Sequence, residues 1–222
     1  MDKRRIGAYG GTFDPIHNGH IDVARQVVWN FRLDSLLVIP AHRPPHKTMR
    51  SISDSYHRYA MTVLATLDDP KLAVSTIELE APDKPYTFET IERLCTGYAE
   101  GAELYFVMGS DSFGEVLSWR EPARILESAS WIIAARPGHD VLTNHLPDFL
   151  QGRVIDLRGG LPPSIDALVN DKEGCWIYLT DYVCRDISST RIRQMVTSEQ
   201  SIEHLVPTAV ANYIEKYQLY RH

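Results

Sequence analysis

Everything before Pro40 commits this chain to an α/β sheet. Arg4 to Tyr9 reads as a short strand, and Gly10-Gly11-Thr12-Phe13-Asp14-Pro15-Ile16-His17-Asn18-Gly19-His20 follows it. Ile21, Ala24, Val27, Val28 and Phe31 then recur at the three-and-four spacing of an amphipathic helix. Ser35 to Pro40 is a continuous apolar run closed by proline, as in a parallel strand buried on both faces. The unit is βαβ, which crosses over right-handed and leaves its loops at the carboxyl edge of the sheet, where doubly wound folds bind ligands. Paired glycines let backbone approach a bulky anion, and the amides of a helix's first turn bind phosphate oxygens. The turn therefore reads as a phosphate holder, with Asn18 as the N-cap and Gly19 leaving room between two histidine rings. A lone histidine reads as a surface or satisfied core residue. His17 and His20, three apart and directly behind a glycine turn, project on one side and read as donors to charge building on a phosphoryl group.

Length and composition limit what else the chain can be. Its 222 residues suit a single α/β domain over 1–222, with 188–222 as a C-terminal helical part of the same domain. A hydrophobic share of 44% excludes disordered and fibrous classes, and a net charge of -6 argues against a broad nucleic-acid-binding face. Any anion site must be a local basic cluster. Cys95, Cys175 and Cys184 are odd in number and widely spaced, which fits neither a disulfide framework nor a thiolate zinc site. Glycines interrupt the apolar run after Lys3-Arg4-Arg5, and no stretch is apolar for long enough to span a membrane. The expected location is the cytoplasm, with no membrane or nucleic-acid partner.

Further along, the basic cluster emerges. Ala41 to Arg50 is a proline-stiffened loop with two histidines and three basic side chains, among them Lys47, and it follows the second strand. A helix capped by Ser53-Asp54-Ser55 runs to Leu67, with Tyr56, Tyr59, Ala60, Val63, Leu64 and Leu67 as its expected apolar face. Leu72 to Leu79 reads as a strand. Thr87 starts a helix from Phe88 to Tyr98, with Thr90 three residues on, so no capping box is expected. Glu103 to Gly109 is the clearest buried strand, and Asp111 just past it reads either as a ribose ligand or as a helix cap. Ser130 to Ala135 is a further strand closed by Arg136-Pro137-Gly138, and Trp176 to Leu179 is the last. From His139 to Gly174 the pattern weakens into what reads as an insertion, a subdomain edge or a homo-oligomer contact. Ile187-Ser188-Ser189-Thr190-Arg191-Ile192-Arg193 opens a helix with three hydroxyls and two arginines, a second anion-binding helix start. Val206-Pro207 opens the closing helix from Thr208 to Tyr217.

Five motifs in order resemble the nicotinate-nucleotide adenylyltransferase family of the nucleotidyltransferase α/β-phosphodiesterase superfamily. They are Gly10 to His20, Pro44-Pro45-His46-Lys47, Tyr86-Thr87, Gly109-Ser110-Asp111 with Trp119, and Ile187 to Arg193, and the ending Tyr217 to Tyr220 also fits. Pro85 stands where a serine is common, and Arg120 where some relatives carry tyrosine. The resemblance implies a Rossmann-like doubly wound parallel sheet with helices on both faces and a small C-terminal helical segment. It implies AMP transfer from ATP to nicotinate mononucleotide, with Mg²⁺ and no protein metal ligands. His17, His20 and Arg193 would be catalytic. Gly10, Gly11, Thr12, Phe13, Lys47, Gly109, Asp111, Ser188, Ser189 and Thr190 would bind ATP and its phosphates. Tyr86, Thr87, Trp119 and Arg120 would hold the mononucleotide. The nearest rivals are other members of the superfamily: phosphopantetheine adenylyltransferases share the two phosphate signatures but lack the Tyr86-Thr87 and Trp119 pair, cytidylyltransferases differ at the second signature, and class I aminoacyl-tRNA synthetases need an anticodon domain. A rival from another class is a non-catalytic nucleotide sensor on the same fold, disfavoured by the intact His17, His20 and Arg193.

Overall fold

The computed structural model describes residues 3–42, 52–81, 86–135, 141, 143, 146–160, 165, 174–183 and 185–221. Seven strands form one sheet: β1 (Arg5–Gly11), β2 (Ser35–Pro40), β3 (Leu72–Val74), β4 (Glu103–Gly109), β5 (Ser130–Ala134), β6 (Val154–Asp156) and β7 (Ile177–Thr180). Their order is β3-β2-β1-β4-β5-β7-β6, and every neighbouring pair is parallel. Chain order runs outward from β1 through β2 to β3 on one side and from β4 to β5 on the other, where β7 then inserts between β5 and the edge strand β6, so the topological switch lies between β1 and β4. The Rossmann-like doubly wound expectation is met.

Along the strands alternate residues face opposite sides, and helices cover both. Tyr9, Val38, Tyr105, Val107, Ile132 and Tyr178 pack with α1 (Asn18–Asn30), α2 (Ser55–Thr66), α7 (Ser189–Thr197) and α8 (Thr208–Lys216). Ile6, Ala8, Leu37, Ile39, Phe106, Trp131, Ile133 and Leu179 pack with α3 (Thr87–Thr96), α4 (Ser110–Gly114), α5 (Pro122–Ser128) and α6 (Asp148–Gln151). Burying this much apolar surface, at about 25 cal/mol per Å², is the main favourable term in the fold.

The structure differs from the expected elements in five places. His17, not Asn18, is the N-cap of α1; Asn18 sits in the first turn, its N–H donating to Leu205 O at 2.9 Å and its side chain to His204 O. The buried residues of α2 are Arg58, Met61, Thr62 and Thr66, while Tyr56 and Leu67 are both 72% exposed. Its inward polar groups are satisfied: Arg58 donates to three backbone carbonyls outside the helix, and the Thr62 and Thr66 hydroxyls donate to the carbonyls of Arg58 and Thr62. The expected strand over 72–79 ends at Val74, where the chain turns off the edge of the sheet. Tyr86 caps α3, and the Glu89 carboxylate accepts its N–H at 2.9 Å, so the reciprocal contact expected to be missing one residue later is present here. Finally, β6 adds an edge strand inside the stretch that gave no pattern; at three residues it is too short to show a period.

Candidate active site at the switch point

A cleft of about 300 Å³ opens at the carboxyl ends of β1 and β4. Most of its lining comes from four places: the turn Gly10 to Phe13, the start of α1 with His17, Gly19 and His20, the residues Gly109, Asp111 and Ser112 after β4, and Arg185 with Ile187 to Thr190 leading into α7. Two segments nearly at opposite ends of the sequence thus face each other, and the Ser189 hydroxyl ties them by donating to Pro15 O at 2.9 Å.

The two histidines are stacked, with ring centroids 3.6 Å apart and planes 21° apart. His17 is buried. The His17 N–H donates to Nδ1 of His20 at 3.3 Å, which in a neutral ring leaves the His20 proton on Nε2 as a donor. Phe13 stands edge-on to His20, its centroid 5.0 Å away, and edge-on to Tyr9 at 5.5 Å. Its backbone is left-handed at φ 49°, a conformation costing about 1–2 kcal/mol for a non-glycine residue. A Cβ on Gly11 would meet the Phe13 ring at 2.6 Å, and one on Gly10 the Phe106 ring at 3.2 Å. Packing beneath the turn therefore opposes a side chain at Gly11 and leaves little room for one at Gly10. Gly19 lies beside the His17 ring rather than between two separated rings.

At the second helix start, Ser188 caps α7 and its hydroxyl accepts the Arg191 N–H at 3.2 Å, while Thr190 Oγ1 accepts from Arg193 at 3.3 Å. Both hydroxyls keep a proton to donate; the single proton of Ser189 is already given to Pro15. Arg193 is absent from the lining. Its guanidinium donates to Asp14 O at 2.7 Å and lies 3.7 Å from the Asp14 carboxylate. Asp14 is 1% exposed, and its carboxylate also accepts the Tyr220 hydroxyl at 2.8 Å. Burial and the neighbouring Asp14 charge push the Tyr220 phenol well above its ordinary range.

Sequence reasoning passed over Arg185. It is the one permanently charged cation among the described lining residues, and Asp22 on α1 holds it at 2.8 Å. The available signal was its place, three residues before the capping serine. Lys47 and Arg136 lie outside the described residues.

The residues expected to hold the mononucleotide lie apart from this lining, toward α3 and α5. Tyr86 is 40% exposed, the Arg120 guanidinium sits 4.8 Å above its ring, and Thr87 is the first residue of α3. Trp119 is half-buried against the α3 and α5 core, and its indole N–H has no hydrogen-bond partner among the described residues.

Residues 8–195 match the family model described as cytidylyltransferase-like. A Thermoanaerobacter sp. (strain X514) protein named a probable nicotinate-nucleotide adenylyltransferase is 38% identical over 98% of this chain and 94% of its own length. A protein of the same name from Roseiflexus castenholzii (strain DSM 13941 / HLO8) is 38% identical over the full length of both. Among solved structures, Plasmodium falciparum nicotinic acid mononucleotide adenylyltransferase complexed with NaAD superposes with a TM-score of 0.70 over 98% of this chain and 97% of its own, at 19% identity.

Proposed function

The chain belongs to the cytidylyltransferase-like family and, within it, to the nicotinate-nucleotide adenylyltransferases, and from that premise we propose that it transfers AMP from ATP to nicotinate mononucleotide. The products are nicotinate adenine dinucleotide and pyrophosphate, a step toward NAD. The observation that carries the transfer chemistry is the stacked His17–His20 pair, set between two helix starts at the sheet's switch point. Identity of 38% over 94% and 100% of the lengths of two relatives named for that acceptor supports the choice.

The attacking 5′-phosphate is already an anion, so no general base is needed and the protein's work is positioning and charge stabilisation. One oxygen of that phosphate forms a bond to the α-phosphorus of ATP. The bond from that phosphorus to the α–β bridging oxygen breaks, and pyrophosphate leaves with the electron pair. His20 Nε2–H, with His17 stacked on it, donates to the oxygens that gain charge, and the backbone of Gly11 to Phe13 lies alongside them. The hydroxyls of Ser188 and Thr190, with Arg185, hold the leaving pyrophosphate. Arg193 acts from behind, fixing Asp14, and Gly109 and Asp111 face the ribose of ATP. Tyr86, Thr87, Trp119 and Arg120 hold the nicotinate mononucleotide.

Nucleotidyltransferases act with a divalent cation, which we assign as Mg²⁺. Among the described residues no group of three or more His, Cys, Asp or Glu side chains is placed to hold a metal ion, and Asp111 is the lining's single carboxylate. That donor set fits a cation carried mainly by substrate phosphates and water, with Asp111 able to hold it; when bound it neutralises phosphate charge. Among the described residues no helix is long and apolar enough to cross a membrane, and we place the reaction in the cytoplasm. Incubating the chain with ATP, Mg²⁺ and nicotinate mononucleotide should yield dinucleotide and pyrophosphate in equal amounts. ATP consumed without dinucleotide would overturn the proposal.

A further inference from the structure

We propose that Arg58, flanked by Asp14 and Glu78, is a positioning residue that fixes the phosphate turn, His42 and Ser53 to one another. Arg58 is 1% exposed, on the inner side of α2. Its three nitrogens go to three different backbone segments. Nη1 donates to Thr12 O at 2.9 Å, Nη2 to His42 O at 3.1 Å and Nε to Ser53 O at 3.1 Å. Thr12 lines the cleft, while His42 and Ser53 flank the segment that carries Lys47.

The acidic partners complete a pattern. The His42 N–H donates to one oxygen of Glu78 at 3.3 Å, and the Ser53 N–H to one oxygen of Asp14 at 3.4 Å. His42 and Ser53 thus each have their carbonyl on Arg58 and their amide on a carboxylate. The remaining carboxylate oxygens reach outward, Glu78 accepting the Thr90 hydroxyl on α3 at 3.1 Å and Asp14 accepting the Tyr220 hydroxyl at 2.8 Å. One buried network therefore joins α2, α3, the phosphate turn and the C-terminal segment.

Packing alone does not explain this choice of residues. A buried charge is costly, and well-packed apolar side chains of similar volume are often no less stable in its place. Burial does push the Arg58 guanidinium below its ordinary range, opposed first by Asp14. What the arginine gives in return is geometry: its planar fork serves three separate carbonyls at once, which the single ammonium of a lysine does not. Those carbonyls sit just past β1 and β2 and just before α2, at positions that no sheet or helix ladder holds. Arg58 itself is absent from the cleft lining, so it acts through Thr12, His42 and Ser53.

The kinetic part of this inference rests on the adenylyl-transfer reading; the structural part does not. The test uses Arg58→Lys and Glu78→Gln in the full chain, with amide hydrogen exchange followed by NMR alongside steady-state kinetics. Exchange at His42 and Ser53 should quicken about tenfold or more in Arg58→Lys, while amides at the centre of β4 and β5 keep wild-type protection. Turnover should fall toward about 10²-fold, the cost of misplacing reacting groups by about 1 Å, with KM for the mononucleotide little changed. If Arg58→Lys does not fold, Glu78→Gln carries the test at His42 and in turnover, with Ser53, whose amide rests on Asp14, as the unchanged reference. Exchange that rises equally through the sheet, or local loosening with unchanged turnover, would overturn the proposal. A wild-type chain that makes no dinucleotide would sink the functional reading and leave the exchange result to decide the clamp.

Discussion

Replacing Gly11 by alanine should disable the chain through Phe13 rather than through the phosphate. Gly11 lies outside the left-handed region, so alanine itself is conformationally acceptable there. Its Cβ, however, falls 2.6 Å from Cζ of Phe13 and 2.8 Å from Cε1, roughly 0.8 Å short of ordinary contact. Phe13 is 2% exposed and wedged edge-on between Tyr9 and His20, so it has no open space to enter. Overpacking of this kind costs about 1–3 kcal/mol. The displaced ring presses on His20, whose stacking on His17 fixes the donor. A shift near 1 Å in such a group costs on the order of 10²-fold in rate. Urea unfolding and steady-state turnover read the two effects separately. The double variant with Phe13→Leu, which removes the clashing ring, should recover part of the lost stability. Gly11→Ala with unchanged midpoint and unchanged turnover would refute this reasoning.

Further outcomes follow from the same geometry. His20→Ala, and His17→Ala beside it, should each lower kcat by about 10²- to 10³-fold while the fold persists by circular dichroism; near wild-type turnover would remove them from the mechanism. Arg185→Met should raise KM for ATP by about tenfold or more, the worth of a charge-assisted hydrogen bond, and an unchanged KM would place Arg185 outside the phosphate site. Tyr220→Phe leaves the buried Asp14 carboxylate short of one donor and should cost about 1–3 kcal/mol in urea unfolding. Burial pushes the Glu78 carboxyl above its ordinary 4.5. The folded chain therefore holds that proton more tightly than the unfolded one, and the contribution is full below the unfolded value and lost as pH rises through the raised folded value. The stability of wild type relative to Glu78→Gln should fall across that window, and a pH-independent difference would refute the assignment.

The first βαβ unit was legible because its signals are local: an apolar run, a glycine pair and a helical period all lie within one stretch. The same holds for β4 and for the serine-capped start of α7. The inward face of α2 was not legible, because hydropathy places Arg58 in solvent. Only the three carbonyls brought to it by distant backbone make its burial tolerable. Asp14 stands in a recognisable motif, yet its partner Tyr220 lies at the far end of the chain and carries no sequence sign of the contact. Arg193 reads as a phosphate ligand by its place in the helix, and which way its guanidinium turns is decided by Asp14, a tertiary neighbour. Three-residue strands such as β6 hold too few residues to show a period.

The most direct measurement is pyrophosphate release from ATP and Mg²⁺ with nicotinate mononucleotide, nicotinamide mononucleotide and phosphopantetheine supplied separately. Release should be rapid with the nicotinate compound and slight with phosphopantetheine. Release with phosphopantetheine alone would contradict the roles given to Tyr86, Thr87 and Trp119, and release with none of the three would point to a nucleotide sensor instead of an enzyme.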